Sequence, residues 1–314
     1  MNRPTVLLTD SDLGDRELEV GWLVEALGAE VVVADCTTAD DVLREVEKHH
    51  PDAIVTQWAP IDAAAIAAAS GTCRIISRIG IGVDMIDLAA AAEAGIPVRN
   101  VPYYCTEEVA THAVAMALAL WRRLPQLDAE VRAGIWNAAA HAEHINRLSS
   151  ATVGLIGGGR IGQLVAKAFE AWGATIIIVD PAPPSDHYER VTLDELARRA
   201  DIISLHAPLM ESTRHLVGRD FLASLERHPV IVNTSRGALI DVEAAVDAVN
   251  SGLVRGLGLD VFEEEPLAAA HSVRDAKNTL LAPHAAWCSH EALPDLRRGA
   301  IDNVVEALRG SGSA

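Results

Sequence analysis

Val153-Gly154-Leu155-Ile156-Gly157-Gly158-Gly159-Arg160-Ile161-Gly162 is the stretch that decides the fold of this 314-residue chain. It begins as an apolar run with the length of a buried strand and ends as G-x-G-x-x-G. A helical pattern, Gln163 to Trp172, opens behind it. The next apolar run, Ile176 to Asp180, ends on an acid 18 residues after Gly162. A lone glycine motif means little; strand, glycine turn, helix, strand and terminal acid in this order are the context of a dinucleotide-binding βαβ unit. Gly157 makes the tight turn, Gly159 admits a pyrophosphate to the backbone, and Gly162 lets helix pack on strand. The helix start, with Arg160 and Ile161, turns N–H groups and a positive dipole end toward the phosphates. Asp180 accepts hydrogen bonds from the adenosine ribose and repels a 2′-phosphate. Pro181-Ala182-Pro183-Pro184 brings no Arg to offset that, so the motif reads as NAD rather than NADP. The plain alternative is a structural turn and an acidic strand end.

The same rhythm extends in both directions. Upstream, short apolar runs at Val6 to Thr9, Val31 to Ala34, Ala53 to Thr56, Arg74 to Ser77 and Ile96 to Arg99 read as strands buried on both faces. Glu17 to Ala26 and Ile61 to Ala68 read as crossover helices. A long helix starts near Thr106 as cap and runs to Arg122-Arg123. A less regular stretch, Ala129 to Ser150, reads as an arm for a second subunit. Downstream, six strands are expected at Val153 to Ile156, Ile176 to Asp180, Ile202 to His206, Val230 to Asn233, Gly256 to Asp260 and Thr279 to Leu281. A last helix, Leu293 to Leu308, is expected to return to the first domain. The fold class is therefore α/β with two domains: a discontinuous flavodoxin-like substrate domain, 1–101 plus 285–314, and a doubly wound Rossmann NAD-binding domain, 102–284.

Composition narrows the function. Half the residues are apolar and the formal net charge is -18. That argues against nucleic acid, since the basic pairs Arg122-Arg123, Arg198-Arg199 and Arg297-Arg298 are short and read as solvated helix faces. Cys36, Cys73, Cys105 and Cys288 form no C-x-x-C pair and have no metal-ligand spacing with His, so no metal is expected and the thiols read as reduced. No apolar run is long enough for a signal or a membrane span; the expectation is a cytoplasmic protein.

Three chemically apt residues stand just beyond the later strands: Arg236 in Asn233-Thr234-Ser235-Arg236-Gly237, Glu265 in Glu263-Glu264-Glu265-Pro266, and His284 in Pro283-His284. Ligands of such sheets bind at the carboxyl ends of strands. Reduction of a 2-keto acid needs a forked cation for carboxylate and carbonyl, an acid for the developing alkoxide, and a carboxylate that orients that acid and favours its charged form. Arg236, His284 and Glu265 suit these roles in turn. Singly, each has a plain reading as ion pair, solvated loop or strand cap; together, behind a dinucleotide motif, they point to hydride-transfer chemistry.

These blocks resemble the D-isomer-specific 2-hydroxyacid dehydrogenases over almost the whole chain: Gly80-Ile81-Gly82-Val83-Asp84, the glycine motif with Asp180, His206-Ala207-Pro208-Leu209, Asn233 to Gly237, Gly258-Leu259-Asp260-Val261 with Glu265-Pro266, and Pro283-His284. The resemblance implies Arg236, Glu265 and His284 as the catalytic set. It puts His206, Ala207, Pro208, Thr213, Thr234, Ser235, Arg236, Asp260 and His284 near the cofactor, with Asp260 on the nicotinamide carboxamide. It also implies that the loop of Gly80 and Gly82 offers N–H groups to the substrate carboxylate, and that the subunits form a homodimer. The chain departs from the formate dehydrogenase branch, which has Gln where Glu265 stands. Arg78-Ile79-Gly80 and Pro283-His284-Ala285-Ala286-Trp287 are similar to the C-terminal-binding-protein group, where the Arg assists the substrate carboxylate and the Trp packs on the substrate side chain. That likeness leaves two further readings beside a D-2-hydroxyacid dehydrogenase: an NADH-sensing corepressor-like interaction protein, and a dehydrogenase of an unusual substrate such as a phosphonate.

Overall fold

Runs of Val, Ile, Leu and Ala form parallel strands here because both faces of each strand are covered by helices. The computed structural model describes residues 3–182 and 187–310; Pro183 and Pro184, part of the argument against a 2′-phosphate, lie outside the described residues. The chain divides into two units, Met1–Cys105 with Ser289–Ala314, and Thr106–Cys288.

The first unit runs β1 (Thr5–Leu8), α1 (Glu17–Leu27), β2 (Glu30–Val33), α2 (Ala39–His49), β3 (Ala53–Thr56), α3 (Ala63–Ala69), β4 (Ile76–Arg78), α4 (Leu88–Glu93) and β5 (Val98–Arg99). The sheet order is β2-β1-β3-β4-β5, all parallel. Leu7, Ile54 and Ile76 bury one face against Val42 and Val46 of α2, Ile66 of α3 and Ala91 of α4. Side-chain caps start these helices: Thr38 and Asp41 close a reciprocal capping box on α2, while Asp62 and Asp87 cap α3 and α4. The fourth strand starts two residues later and ends one residue later than Arg74 to Ser77, with Ile76 paired to both Ile54 and Val98; Arg78 thereby ends a strand.

The second unit opens with α5 (Thr106–Trp121) and α6 (Leu124–Arg132), then β6 (Thr152–Ile156), α7 (Arg160–Glu170), β7 (Thr175–Val179), β8 (Glu189–Arg190), α8 (Leu193–Arg199), β9 (Ile202–Leu205), α9 (Arg219–Ala223), β10 (Val230–Asn233), α10 (Val242–Ser251), β11 (Gly256–Leu259) and β12 (Thr279–Leu281). Its sheet has seven strands among the described residues, not six, in the order β12-β11-β10-β9-β6-β7-β8. The added strand β8 is a polar, exposed pair at the edge, which leaves no apolar signal to read. Strand order reverses between β6 and β9, the place where doubly wound sheets take ligands. Two apolar layers cover the sheet, one around Ile203, Ile231, Leu239 and Leu257, the other around Met116, Leu120, Trp121, Phe169 and Val232.

Three local readings change. Thr106 is the first residue of α5 rather than its cap. Helix α7 begins at Arg160, not Gln163, so Arg160, Ile161 and Gly162 form its first turn. The stretch Ala129 to Ser150 begins inside α6 and continues as 3-10 turns at Ala138–His144 and Leu148–Ser150.

The last helix, α11 (Ala292–Gly310), belongs to the first unit and packs on α1 and β4. Arg297 is not on a solvated face. Its side chain is 9% exposed, against 3% for Glu19 of α1, and its guanidinium holds that carboxylate by two bonds, one of 2.6 Å between Nη2 and Oε2. Arg297 Nη2 also donates to the Asp15 carbonyl at 2.7 Å. The unit boundaries fall at 105/106 and 288/289 rather than 101/102 and 284/285, for a local reason. Val101 N–H donates to Gly80 O and its side chain meets Gly299, which keeps it with the first unit. Ala285 and Ala286 are bound to Asp260, which keeps them with the second.

Candidate active site

One row of residues crosses the second sheet in register: Val179, Ile156, Leu205, Asn233, Leu259 and Leu281. Each expected site residue of this unit follows that row. Asp180 comes after β7, the glycine loop after β6, His206 after β9, Thr234 to Arg236 after β10, Asp260 and Glu265 after β11, and His284 after β12. The in-register parallel sheet therefore delivers residues scattered over more than a hundred positions to one edge.

The glycine loop is built for a close approach. Gly157 has φ +100°, and a Cβ there would fall 2.6 Å from the His206 carbonyl carbon. A Cβ at Gly162 would fall 2.3 Å from Gly157 O, so the first turn of α7 lies directly on the loop. At Gly159 a Cβ would meet nothing within 4 Å, which leaves the outer side open. Arg160 is exposed and Ile161 half-buried in that first turn. Asp180 Oδ2 accepts the Gly158 N–H at 2.7 Å and Oδ1 the Ala182 N–H at 2.7 Å. The sequence showed no Arg beside this acid, but the structure brings one from the next strand: Arg190 Nη2 donates to Pro181 O at 2.7 Å.

Behind the loop, His206 is neutral at ordinary pH, because burial pushes its imidazole down to about 4. Its Nε2 meets Ser204 Oγ at 2.9 Å. The half-buried Ala207 and exposed Pro208 continue the loop, and Thr213 closes it by donating to Pro208 O and accepting from Met210 N–H, both at 2.8 Å. Ser235 Oγ donates to Leu205 O at 2.8 Å. His206 Nδ1 and Thr234 Oγ1 are buried with no hydrogen-bond partner among the described residues. Orphaned buried polar atoms are costly unless something meets them. With the open glycine cradle, they make the site fit a bound dinucleotide.

Glu265 and His284 form the titratable pair. Nδ1 of His284 lies 2.7 Å from Glu265 Oε2, and the other carboxylate oxygen accepts the Phe262 N–H at 2.8 Å. Burial pushes the Glu265 carboxyl up, but the hydrogen bond and charge of His284, the Phe262 N–H and the charge of Arg236 outweigh it, so Glu265 sits below its ordinary range. Nδ1 is the ring nitrogen turned to the carboxylate. His284 takes φ +54°, a left-handed backbone uncommon for a side chain of this size. Arg236 Nη1 donates to Ser235 O at 2.8 Å. Gly237 next to it fixes the spacing of the two loops, since a Cβ there would lie 1.9 Å from the Phe262 carbonyl carbon. Trp287 is half-buried, on the turn that Cys288 N–H closes by donating to Ala285 O at 3.0 Å.

Arg78, Ile79 and Gly80 belong to the first unit. Ile79 N–H donates to Thr56 O at 2.8 Å and Gly80 N–H to Arg78 O at 3.1 Å. The lack of a side chain at Gly80 makes room for Arg78, because a Cβ at its φ of +143° would fall 1.1 Å from Arg78 Nη1. Arg78 is buried, with its guanidinium 5.1 Å from the centre of the Trp58 ring. Trp58 went unread in the sequence; its indole N–H donates to Asp12 at 3.1 Å and its amide to Asp10 at 2.6 Å.

A doubly wound sheet with a dinucleotide cradle, and an Arg, a carboxylate and a His along the same edge, defines a nicotinamide-dependent oxidoreductase. Residues 114–286 match the family model for the D-isomer specific 2-hydroxyacid dehydrogenase NAD-binding domain. The chain is 36% identical to a glyoxylate reductase of Korarchaeum cryptofilum over 258 residues, 80% of this chain and 77% of that protein. It is 34% identical to a D-3-phosphoglycerate dehydrogenase of Methanocaldococcus jannaschii, matching 92% of this chain but spanning 55% of the relative's length. A solved D-lactate dehydrogenase of Aquifex aeolicus, complexed with NAD and lactic acid, superposes with a TM-score of 0.85 at 27% identity, covering 97% of this chain and 96% of that one. The chain belongs to the D-isomer specific 2-hydroxyacid dehydrogenase family and is an NAD-dependent oxidoreductase of 2-hydroxy and 2-keto acids.

Proposed function

We propose that this protein reduces a small 2-keto acid to the D-2-hydroxy acid with Arg236, Glu265 and His284 as its working residues. The observation that carries the reading is the His284–Glu265 contact of 2.7 Å on the same sheet edge as Arg236 and the glycine cradle. NAD, when bound, supplies the hydride in its reduced form or takes it up in its oxidised form. Arg236 holds the substrate carboxylate and polarises the keto oxygen. His284 gives its Nε2 proton to that oxygen as negative charge develops there. Glu265 orients the ring through Nδ1. Asp180 selects NAD by refusing a 2′-phosphate.

On the first unit, Arg78 is the donor offered to a substrate carboxylate, held flat by Trp58. The substrate class follows the relatives' chemistry, short 2-keto acids of the glyoxylate and pyruvate type. The indole of Trp287 favours members with an apolar side chain. The likeness of Arg78 and the Pro283–Trp287 block to the C-terminal-binding-protein group supports a place on that branch. The working form is a homodimer in the cytoplasm. Exposed Val131, Ile135 and Trp136 support the first.

Steady-state reduction by wild type and His284→Ala tests the reading. The variant should lose about 10²- to 10⁴-fold in kcat, the usual worth of a positioned acid. A variant that reduces keto acids at near wild-type rate removes His284 from the chemistry.

A further inference from the structure

Two buried polar residues at neighbouring strand ends do something that the catalytic reading leaves unexplained. Asn233, at the end of β10, is fully buried. Its side chain folds over its own loop: Oδ1 accepts the Ser235 N–H at 3.0 Å, and Nδ2 donates to the Arg236 carbonyl at 2.8 Å. Asp260, one residue beyond β11, is also fully buried. Its carboxylate accepts the Ala285 N–H at 2.8 Å on Oδ1 and the Ala286 N–H at 2.9 Å on Oδ2, while its main-chain oxygen accepts the His284 N–H at 2.7 Å. The two residues are joined, because Asp260 N–H donates to Asn233 O at 3.0 Å. His112 of α5 flanks the carboxylate, with Nε2 3.7 Å from Oδ1.

The geometry points to Asn233 and Asp260 as a coupled pair of positioning residues, Asn233 holding the loop that carries Arg236 and Asp260 holding the backbone on both sides of the Nδ1-bound His284. This rests on the proposed roles of Arg236 and His284 and deepens them. It stands beside the carboxamide contact that family resemblance implies for Asp260, since each carboxylate oxygen accepts one N–H of the His284 loop and keeps a further lone pair.

The physical reason is strain. His284 sits at φ +54°, and a left-handed backbone at a bulky residue persists only where its surroundings over-determine it. Three consecutive N–H groups, of His284, Ala285 and Ala286, all end on Asp260. A buried carboxylate makes stronger hydrogen bonds than a neutral acceptor would. Asparagine at 260 keeps the shape but replaces one acceptor with an NH₂ that faces a backbone N–H. Alanine at 233 frees the Arg236 carbonyl and the Ser235 N–H without changing any group that touches substrate.

The experiment is a double-mutant cycle, read as kcat, keto-acid KM and NADH Kd. Asp260→Asn should lower kcat about tenfold or more, beyond any change in NADH Kd. On a His284→Ala background it should have almost no further effect, because a residue that acts through another adds nothing once that other is gone. Asn233→Ala should raise keto-acid KM and lower kcat/KM, and lose its effect on an Arg236→Ala background. A rise in NADH Kd with intact kcat in Asp260→Asn, or losses that add in both cycles, overturns the proposal. If Asp260→Asn does not fold, the Asn233 cycle decides alone. Wild-type enzyme that binds NADH but reduces no keto acid sinks the functional reading instead, so the two failures are distinct.

Discussion

At the scale of single residues, the chemistry rests on groups whose charge is set by their neighbours. Glu265 stays ionised below the ordinary carboxylate range, so the partner of His284 keeps its charge throughout the working pH of such an enzyme. His206 makes the opposite case, pushed down to about 4 by burial. Its ordinary value is about 6.5, so the unfolded chain binds more protons than the folded one between these pH values. Its contribution to stability is therefore complete above pH ~6.5 and is lost as pH falls toward about 4. The fall in Tm across that window should be smaller in His206→Gln than in wild type; an equal fall puts the acid sensitivity elsewhere. Asp180 gives a second residue-scale test. Asp180→Ala should narrow the NAD-to-NADP ratio of kcat/KM by about tenfold or more, or roughly 1.4 kcal/mol, and Arg190 beside Pro181 stands ready to meet the 2′-phosphate. An unchanged ratio would take Asp180 out of cofactor choice.

Elements explain which parts of the site could be read from sequence. Asp180, Arg236, Glu265 and His284 were legible because each follows an apolar run whose end a reader can locate, and a parallel sheet brings such ends together. Arg190 was not, because β8 is two exposed polar residues with no pattern. Trp58 was not, because its link to Arg78 joins the loop after β3 to the end of the neighbouring strand β4. The work of Asn233 and Asp260 was hidden for a similar reason: a short polar residue at a strand end signals nothing about which N–H group it will meet. Gly80 shows the opposite hazard. Its residue type was read, but the room it leaves for a guanidinium was not. Gly237 offers a clean element-scale prediction. Gly237→Ala must push the 262–265 loop away, since no Cβ fits 1.9 Å from a backbone carbon. It should lower kcat by about 10²-fold, the scale of a misplaced catalytic group. NADH affinity should be largely retained; wild-type turnover would show that the loop spacing is irrelevant.

For the molecule as a whole, the division into two units and the return of α11 to the first were legible from the strand rhythm, whereas the lock on that return was not. Arg297 reads in sequence as half of a surface basic pair, yet it is buried against Glu19, 278 residues away. Removing one partner of a buried pair leaves the other charge stranded, at a cost of about 3–5 kcal/mol. Arg297→Met should therefore lower the Tm of the protein clearly, and Glu19→Leu with Arg297→Met should recover most of the loss. Two single variants with unchanged Tm would contradict the buried lock. The family assignment, the cradle and the residues along one sheet edge converge on hydride exchange with a 2-keto acid. The most direct test is NADH oxidation by the purified protein against glyoxylate, pyruvate, hydroxypyruvate, phenylpyruvate and 4-methylthio-2-oxobutyrate, with His284→Ala beside wild type. The account predicts turnover of at least one of these acids, faster for those with apolar side chains, and its loss in the variant. Tight NADH binding with no turnover of any of the five, or turnover that survives His284→Ala, would contradict it.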